Sequence, residues 1–389
     1  MKKVNTPYFV IKKSELDKNI YDFKSALKKY WPNSDIAYSI KTNSLPWILK
    51  YMNSQGILAE AVSDEEYELA ELCGFEGSNI VFNGPIKSER LLEKSIKKKS
   101  IINIDSEHEV NLIKNNKSLI QGNLGVRINV ETEGFDINDV GYITEGFRFG
   151  FSEVNNKLEE VVSLLQEKGQ FGLHLHCNSI TRSINVYRVI AQWALYIIEK
   201  YKIKPSYIDI GGGFFGGVEN KPTAEEYIQA ITEELSKVIN PIETKLIIEP
   251  GSALIGSVID FYTSVIENKE TKYGHIVTTD GSRINIDPLW QKNKYIYSLD
   301  TKRDKQILID KQIICGYTCM DHDRIMMLNN EQFLNVGDKI IYHKVGAYTV
   351  TFGGPFIRYF PEVYVEKNNE LQLIRSRITV NDYFKIQSL

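Results

Sequence analysis

Four groups of residues in this sequence could act together in chemistry on an aldehyde that carries a phosphate. Lys41 follows the apolar segment IAYSI, and His174 and His176 lie in the segment GLHLH. Gly211–Gly213 follow YIDI, and Glu249 closes LIIE just before a Pro-Gly pair. An amine can add to an aldehyde, glycine amides can approach a phosphate closely, and a carboxylate can hold a cationic nitrogen.

A site for pyridoxal 5′-phosphate (PLP) needs this combination of residue types. An amine must form a Schiff base with the aldehyde, and an acid must keep the pyridine nitrogen protonated. Glycine amides must approach the phosphate, and a flat side chain must stack on the ring. Each motif alone has an ordinary explanation, such as a solvated lysine, a flexible turn or a core histidine. Lys41 differs because a charge after an apolar run is costly unless it is paired or functional.

The elements that must position these residues alternate between short apolar runs and helical patterns. This alternation predicts a parallel (β/α)8 barrel, in which residues at the C-terminal ends of the strands face the active site. Ser14–Tyr30 is predicted to be helical, after a strand at Tyr8–Ile11. The predicted barrel strands are Ile36–Ile40, Ile80–Phe82, Ile101–Ile104, Leu124–Ile128, Gly172–His176, Tyr207–Ile210 and Lys245–Glu249, with a weak eighth strand near Gly56–Val62.

Beyond about Ile255, β-branched and aromatic residues become dense, turn residues become frequent and helical periodicity disappears. This pattern predicts a C-terminal antiparallel β domain. The predicted fold is therefore an α/β protein with a TIM-like barrel over residues 30–255 and a β-rich domain over residues 1–29 and 256–389. The strands predicted there are Asp260–Glu267, Tyr273–Thr279, Lys311–Cys315 and Asp338–Tyr342.

The composition is that of an ordinary globular enzyme. The 389 residues are 42% hydrophobic and 25% charged, and the net charge of −3 favours neither nucleic acid nor an anionic membrane as a partner. No apolar run approaches the roughly 20 residues that span a bilayer, and the first residues lack the apolar core of a secretory signal. Four cysteines without CxxC spacing indicate a reducing, cytoplasmic compartment.

Taken in order, the motifs resemble those of the fold-type III PLP-dependent decarboxylases. The matching segments are SIKTN, HLHCNS, YIDIGGGF, IIEPG, GYTCMDHDRI and GAYT. That family includes ornithine, diaminopimelate and arginine decarboxylases and shares its barrel with alanine racemase. The resemblance implies PLP as cofactor, decarboxylation of an amino acid through an external aldimine, and a homodimer with shared active sites.

The resemblance also implies a role for individual residues. Lys41 resembles the lysine that forms the Schiff base, His176 the histidine stacked on the ring, and Glu249 the partner of the pyridine nitrogen. Cys319 resembles the cysteine, supplied by the second chain, that protonates the carbanion. The remaining implied cofactor contacts are Ser179, Gly211, Gly212, Gly213, Gly251 and Tyr348.

Several departures from the family pattern bear on the substrate. The family's EPGR reads EPGS, with Ser252 in place of arginine, and Asn178 stands where glycine is common in HxGS. Cys319 is followed by methionine, so the first acid after it is Asp321, which is a candidate for binding a distal ammonium group. The segment NIDPLW lacks the arginine of the RPxxY-type segment found in diaminopimelate decarboxylases.

These departures suggest a decarboxylase of a specialised pathway, such as siderophore assembly, acting on a citryl-linked diamino acid. Arg148, in GFRFGF, and Arg283, in DGSRINID, are the candidates for binding an extra carboxylate. A diaminopimelate or ornithine decarboxylase proper is the alternative.

Three other functions would each require features that differ from this pattern. A racemase on the same barrel would need a second base opposite Lys41, normally a tyrosine. A non-catalytic PLP carrier would lack the β domain and Cys319. A metal enzyme could use His174 and His176, but no acidic partners with ligand spacing accompany them, so no metal is predicted.

Overall fold

The computed structural model describes residues 4–142, 144–301 and 307–388. The chain divides into two compact units, one comprising Lys18–Leu254 and the other comprising Met1–Asp17 with Ile255–Leu389. Within the described part of the chain, no helix combines the length and the apolar character needed to cross a bilayer.

The strands are as follows. They are β1 (Tyr8–Lys12), β2 (Ser34–Ser39), β3 (Leu58–Ala61), β4 (Ile80–Phe82), β5 (Ile101–Ile104), β6 (Asn123–Ile128), β7 (Gly172–Leu175), β8 (Tyr207–Asp209), β9 (Lys245–Ile248), β10 (Ile259–Thr271), β11 (Gly274–Thr279), β12 (Ile296–Asp300), β13 (Leu308–Cys315), β14 (Arg324–Gln332), β15 (Lys339–His343), β16 (Glu362–Lys367) and β17 (Glu370–Arg375).

The α-helices connect or follow these strands. They are α1 (Lys13–Tyr30), α2 (Pro46–Ser54), α3 (Asp64–Leu72), α4 (Glu89–Lys97), α5 (Glu107–Asn115), α6 (Lys157–Gln166), α7 (Ile184–Tyr201), α8 (Ala224–Leu235), α9 (Gly251–Ile255), α10 (Arg283–Ile286), α11 (Thr349–Phe352) and α12 (Val380–Gln387).

The first unit is a closed barrel of eight parallel strands, β2 to β9 in sequence order. The ring closes where β2 pairs with β9, with Ser34 opposite Leu246. The weak eighth strand is confirmed as β3. Side-chain caps start the helices that follow three of the strands: Ser63, Ser88 and Ser106 each accept a hydrogen bond from a backbone amide in the first turn.

The side chain of Tyr207 lies in the barrel interior, against two glycines. A Cβ atom added at Gly172 would lie 2.0 Å from Tyr207 Cζ, and one at Gly125 would lie 2.3 Å from its hydroxyl oxygen. Both positions therefore exclude a side chain. The Tyr207 hydroxyl donates to Asn103 Oδ1 at 2.7 Å, which satisfies its polar end. The surrounding apolar layer contains Ala37, Leu58, Val81, Ile101 and Ile247.

Helix α1 contributes to the barrel unit from Lys18 onward, so the N-terminal boundary differs from the predicted one at residue 30. The reason is that one face of α1 is apolar and packs within the barrel unit. Ile20, Phe23 and Leu27 are all buried, and the ring of Phe23 lies 5.7 Å from that of Phe214 in the same unit.

The second unit is a mixed sheet built mainly from antiparallel pairs. Its longest path runs β14-β13-β11-β10-β1-β16-β17, and β15 pairs with both β10 and β12. Two pairs, β1 with β16 and β11 with β13, are parallel. The predicted β domain is confirmed, and it also contains three short helices, α10, α11 and α12.

Candidate active site

Lys41 lies just beyond the C-terminal end of β2, in a single 3-10 turn spanning Ile40–Thr42. The predicted strand extended one residue too far, since β2 ends at Ser39. The Lys41 amine lies 2.6 Å from Glu60 Oε2 and 2.7 Å from Ser39 Oγ. About two-fifths of its side chain is exposed, so the amine is both paired and accessible.

Glu60, from β3, is almost completely buried. Burial alone would raise its pKa. The positive charge of Lys41 and the hydrogen bonds from Lys41, Ser39 and Asn83 outweigh burial, so the pKa of Glu60 lies below its ordinary value. Glu60 is therefore held as the anionic partner of the amine.

A buried amide connects Glu60 with Glu249. Asn83, at the end of β4, donates from Nδ2 to Glu60 Oε1 at 3.1 Å and to Glu249 Oε1 at 2.6 Å. Its own oxygen accepts from Asn103 Nδ2 at 2.8 Å. Contacts therefore run from the Lys41 amine through Glu60 and Asn83 to the Glu249 carboxylate.

Glu249 follows the last barrel strand and shares its surroundings with Asp209 of β8. Burial, followed by the charges of Asp209 and Glu60, raises the pKa of Glu249 well above its usual range. Burial also raises the pKa of Asp209 to about 7, even though Gly211 N donates to Asp209 Oδ1 at 2.9 Å. The pair therefore retains a proton near neutral pH unless a cation compensates it.

Both predicted histidines lie at this end of the barrel, His174 within β7 and His176 just after it. Burial, with the positive charges of Arg127 and Lys41, lowers the pKa of His176 to about 3. Burial likewise lowers the pKa of His174, whose Nε2 lies 3.9 Å from Glu249 Oε2. Both ring nitrogens of His174 and the Nδ1 nitrogen of His176 lack a hydrogen-bond partner among the described residues.

The glycine turn lies against His176 and Glu249. A Cβ atom at Gly211 would lie 2.7 Å from three atoms of His176, and one at Gly212 would lie 2.2 Å from the Glu249 carbonyl oxygen. Gly211 and Gly213 also adopt positive φ angles of 68° and 91°. Glycine is therefore required, and the turn presents bare backbone.

Three aromatic side chains, Tyr187, Phe214 and Tyr227, pack against this turn. Tyr187 of α7 donates from its hydroxyl to the Gly212 carbonyl at 3.1 Å. Its ring stacks on Phe214 with centroids 4.5 Å apart, and Tyr227 meets both rings edge-on. Because all three rings are fully buried, the turn has a rigid base.

Two further predicted cofactor contacts lie in the barrel unit. The Ser179 hydroxyl donates to the Asp139 carbonyl at 3.1 Å. Gly251 packs against the segment that carries Lys41, because a Cβ atom there would lie 2.1 Å from Thr42 Oγ1.

Arg148 is exposed, and its guanidinium carbon lies 4.2 Å from the centroid of the Phe149 ring. The same ring lies 4.6 Å from the guanidinium of Arg127, which pairs with the buried carboxylate of Asp105 at 3.1 Å. Gly150 N donates to the other oxygen of Asp105 at 2.7 Å and so fixes this segment.

The remaining predicted residues lie in the second unit. Cys319 and Asp321 are exposed on the turn after β13, and Cys319 is a free thiol. The neighbouring Asp323 is buried and holds this turn, accepting from Ser282 Oγ at 2.8 Å and from Thr318 Oγ1 at 2.7 Å.

Arg283 and Tyr348 are also placed within the second unit. The Arg283 guanidinium pairs with Asp287 at 2.9 Å, donates to the Lys292 carbonyl at 2.8 Å and lies over the Trp290 ring. Tyr348 is half-buried and precedes α11 with a positive φ of 61°.

Sequence reasoning missed five polar residues that complete the barrel site. A signal was available, because each interrupts or directly follows an apolar run, as in LAEA, IVFN, IINI, GVRI and YIDI. The residues are Glu60, Asn83, Asn103, Arg127 and Asp209.

The barrel residues fit PLP. The site has an accessible amine, a glycine turn that a side chain would block, and a buried carboxylate whose raised pKa a cationic nitrogen would lower. His174 and His176 add buried ring nitrogens that have no hydrogen-bond partner among the described residues.

The fold also gives His174 the acidic partners that sequence spacing did not reveal. One ligand atom each from His174, Asp209 and Glu249 lies within 4.8 Å of the others. The expectation that His174 has no acidic partner was therefore wrong. The same carboxylate, Glu249, is the predicted partner of the pyridine nitrogen.

Comparison with known proteins agrees with the PLP assignment. Residues 14–256 match the family described as pyridoxal-dependent decarboxylase, pyridoxal binding domain. Diaminopimelate decarboxylase from Aquifex aeolicus is 26% identical over 371 residues, covering 90% of this chain and 85% of that protein. Probable chloroplastic diaminopimelate decarboxylase from Oryza sativa is 23% identical, covering 98% of this chain and 79% of that protein.

Solved structures show the same fold. Diaminopimelate decarboxylase from Helicobacter pylori in complex with L-lysine matches with a TM-score of 0.81 and 22% identity, covering 99% of this chain and 98% of that one. Arginine decarboxylase of Paramecium bursaria Chlorella virus, bound to agmatine, matches with a TM-score of 0.75 and 20% identity, covering 93% and 96%.

The match to the family covers more than half of the chain and spans the whole barrel. Four of the motifs that suggested the resemblance lie at the barrel's C-terminal end: SIKTN, HLHCNS, YIDIGGGF and IIEPG. Buried contacts connect Lys41 of the first motif with Glu249 of the last. The chain therefore belongs to the pyridoxal-dependent decarboxylase family of fold type III, and it is a PLP-dependent carboxy-lyase that acts on an amino acid.

Proposed function

We propose that Lys41 is the amine to which PLP attaches and that Glu249 is the partner of its ring nitrogen. The observation that carries this proposal is the series of contacts from Lys41 through Glu60 and Asn83 to Glu249. It connects a partly exposed amine to a buried acid whose pKa is raised by burial and by neighbouring carboxylates. The further cofactor contacts in the proposal are His176, Ser179, Gly211, Gly212, Gly213, Gly251 and Tyr348.

Bound PLP supplies an electron sink for the electrons that remain when the substrate loses its carboxylate. The protein's own residues set the conditions for that reaction. In the proposal, Glu249 keeps the ring nitrogen protonated. His176 stays neutral over the physiological pH range because its pKa is about 3. A neutral imidazole can pack on the ring without competing for that proton. In the proposal, the Cys319 thiol returns a proton to Cα.

The lysine assignment can be tested by reduction and mapping. Borohydride treatment of the holoenzyme should fix the cofactor on the peptide that contains Lys41. Lys41→Ala should abolish both the visible absorbance and carbon dioxide release. The matched control is Lys50→Ala, at an exposed lysine of α2, which should retain both. Label found on another lysine would refute this role.

We also propose that the enzyme is a cytoplasmic homodimer in which each active site receives Cys319 and Tyr348 from the second chain. The resemblance to the family supports this arrangement, and the free thiols agree with a reducing compartment. Mixing equal amounts of Lys41→Ala and Cys319→Ala chains should restore about a quarter of the sites, because half of the random dimers would contain one intact site. If no activity returns under conditions of subunit exchange, the sites are not shared.

For the substrate, we propose an amino acid with a second carboxylate at its distal end. The observation that favours this class is Arg148, which is exposed and has no ion-pair partner among the described residues. The Arg283 guanidinium already pairs with Asp287. Arg283 and Asp321 remain secondary candidates for substrate contacts.

A panel of substrates tests this class. It should contain meso-diaminopimelate, L-lysine, L-ornithine, L-arginine and a citryl-linked diamino acid. Diaminopimelate fits the names of the relatives, whereas no relative reported above is named for such a conjugate. Arg148→Gln should raise KM for the preferred dicarboxylic substrate at least tenfold. A preference for ornithine or arginine over every dicarboxylic compound would refute the proposed substrate class. It would leave the decarboxylase activity unaffected.

A further inference from the structure

Arg182 is an arginine in the barrel unit to which no role has yet been assigned. It lies in the loop between β7 and α7, three residues after Ser179. We propose that Arg182 binds the phosphate of PLP and supplies the cationic charge that the EPGS segment lacks. This inference rests on the proposed role of Ser179 and the glycine turn in binding that phosphate.

The backbone of Arg182 is fixed from two sides. Its amide donates to Ser179 Oγ at 2.8 Å, and its carbonyl accepts from the Tyr227 hydroxyl at 2.6 Å. Its φ angle of 54° lies in the left-handed region, which is unfavourable for a residue other than glycine. Such a conformation persists only where the surroundings hold it in place, and Tyr227 belongs to the aromatic group behind the glycine turn.

The side chain lies between two segments of the proposed phosphate site. Its NH1 nitrogen donates to Ser252 Oγ at 3.2 Å, and its guanidinium carbon lies 5.1 Å from the centroid of the Phe215 ring. Phe215 follows the glycine turn by two residues, and Ser252 is the last residue of the EPGS segment, where the resemblance implies an arginine. Arg182 thus places a guanidinium beside the position from which that charge is missing.

The charge of Arg182 is also available. Throughout the described ranges of the chain, no carboxylate forms an ion pair with Arg182. Arg127, Arg188 and Arg283, by contrast, each pair with an acidic side chain. An arginine that is fixed at its backbone but has no carboxylate partner is poised for an anionic ligand.

A phosphate monoester carries a charge of about −1.5 to −2 near neutral pH. The other groups assigned to this subsite, the Ser179 hydroxyl and the glycine amides, are neutral donors. A guanidinium adds the charge-assisted hydrogen bonds that distinguish a phosphorylated cofactor from its unphosphorylated form.

The test compares the affinities of cofactor-free enzyme for PLP and for pyridoxal, which lacks the phosphate, followed by visible absorbance. Arg182→Gln should weaken PLP binding at least tenfold and leave pyridoxal binding unchanged, and Arg182→Lys should lie between. Retained pyridoxal binding shows that the variant is folded. The matched control is Arg188→Gln on α7, which should change neither affinity because Arg188 pairs with Glu233 at 2.9 Å.

A rescue variant makes the test specific. Adding Ser252→Arg to Arg182→Gln should restore most of the PLP affinity, since it returns a guanidinium to the same place. Equal loss of PLP and pyridoxal binding would overturn the proposal, and so would a rise in KM for the amino acid without any change in PLP affinity. Failure of the unaltered enzyme to bind either compound would instead refute the PLP site itself.

Discussion

The two buried carboxylates of the barrel should make the cofactor-free protein less stable as the pH rises. Burial raises the pKa of Asp209 from 3.8 to about 7. The folded state therefore holds a proton that the unfolded chain releases at lower pH, and the free energy of unfolding falls between about pH 4 and pH 7. Asp209→Asn removes this ionisation while keeping an oxygen that can accept from Gly211 N.

The size of the effect follows from the difference between the two pKa values. The pKa difference is about 3, and each pKa unit corresponds to about 1.36 kcal/mol. The ionisation of Asp209 therefore lowers the free energy of unfolding by at most about 4 kcal/mol above pH 7. Replacing the carboxylate weakens a hydrogen bond by about 1 kcal/mol. The variant should therefore be more stable than the unaltered protein by about 1 to 3 kcal/mol at pH 8, and of similar or slightly lower stability at about pH 4.

Urea unfolding of the cofactor-free protein at these two pH values, followed by tryptophan fluorescence, measures the difference. Asp22→Asn is the matched control, because Asp22 pairs with Lys18 on the exposed face of α1 and should show no comparable change. If Asp209→Asn lowers stability equally at both pH values, Asp209 does not hold a proton in the folded protein and the electrostatic reasoning is wrong.

Three further substitutions test the geometry of the site and its support. Gly212→Ala should prevent cofactor binding, measured by visible absorbance, because its Cβ atom would lie 2.2 Å from the Glu249 carbonyl oxygen. Cys319→Ala should keep the absorbance but lose most turnover, and unchanged kinetics would show that it is not the proton donor. Gly172→Ala should lower the free energy of unfolding by about 1 to 3 kcal/mol or more, because the new Cβ atom would overlap the Tyr207 ring. Undiminished stability to urea would contradict that packing.

The sequence predicted the barrel well because buried parallel strands are short and mostly apolar, and most of these eight are followed directly by a polar residue. The weakest strand, β3, is the informative case. Its four residues, LAEA, include Glu60, and a charged residue reduces the apolar signal of so short a strand. The same residue is the partner of Lys41. The feature that obscured the strand is therefore the one that the active site requires.

Other parts of the site could not be predicted because they depend on contacts between residues far apart in the chain. Asn83 and Glu249 are 166 positions apart, and Arg182 and Ser252 are 70 apart. Sequence periodicity reports the face of a strand or helix on which a residue lies, but not its neighbour across the barrel. The departure EPGS could therefore be noticed in the sequence, whereas the arginine beside it could be found only in the structure.

The charged and polar residues of the barrel site divide into two groups that favour opposite charges in a ligand. Glu249 and Asp209 form a buried acidic group, which favours a cationic nitrogen. Arg182, the glycine amides and Ser179 form a second group that favours an anion. A molecule with a basic ring nitrogen and a phosphate is favoured with its nitrogen toward the acidic group and its phosphate toward Arg182, because the reverse would set like charges together.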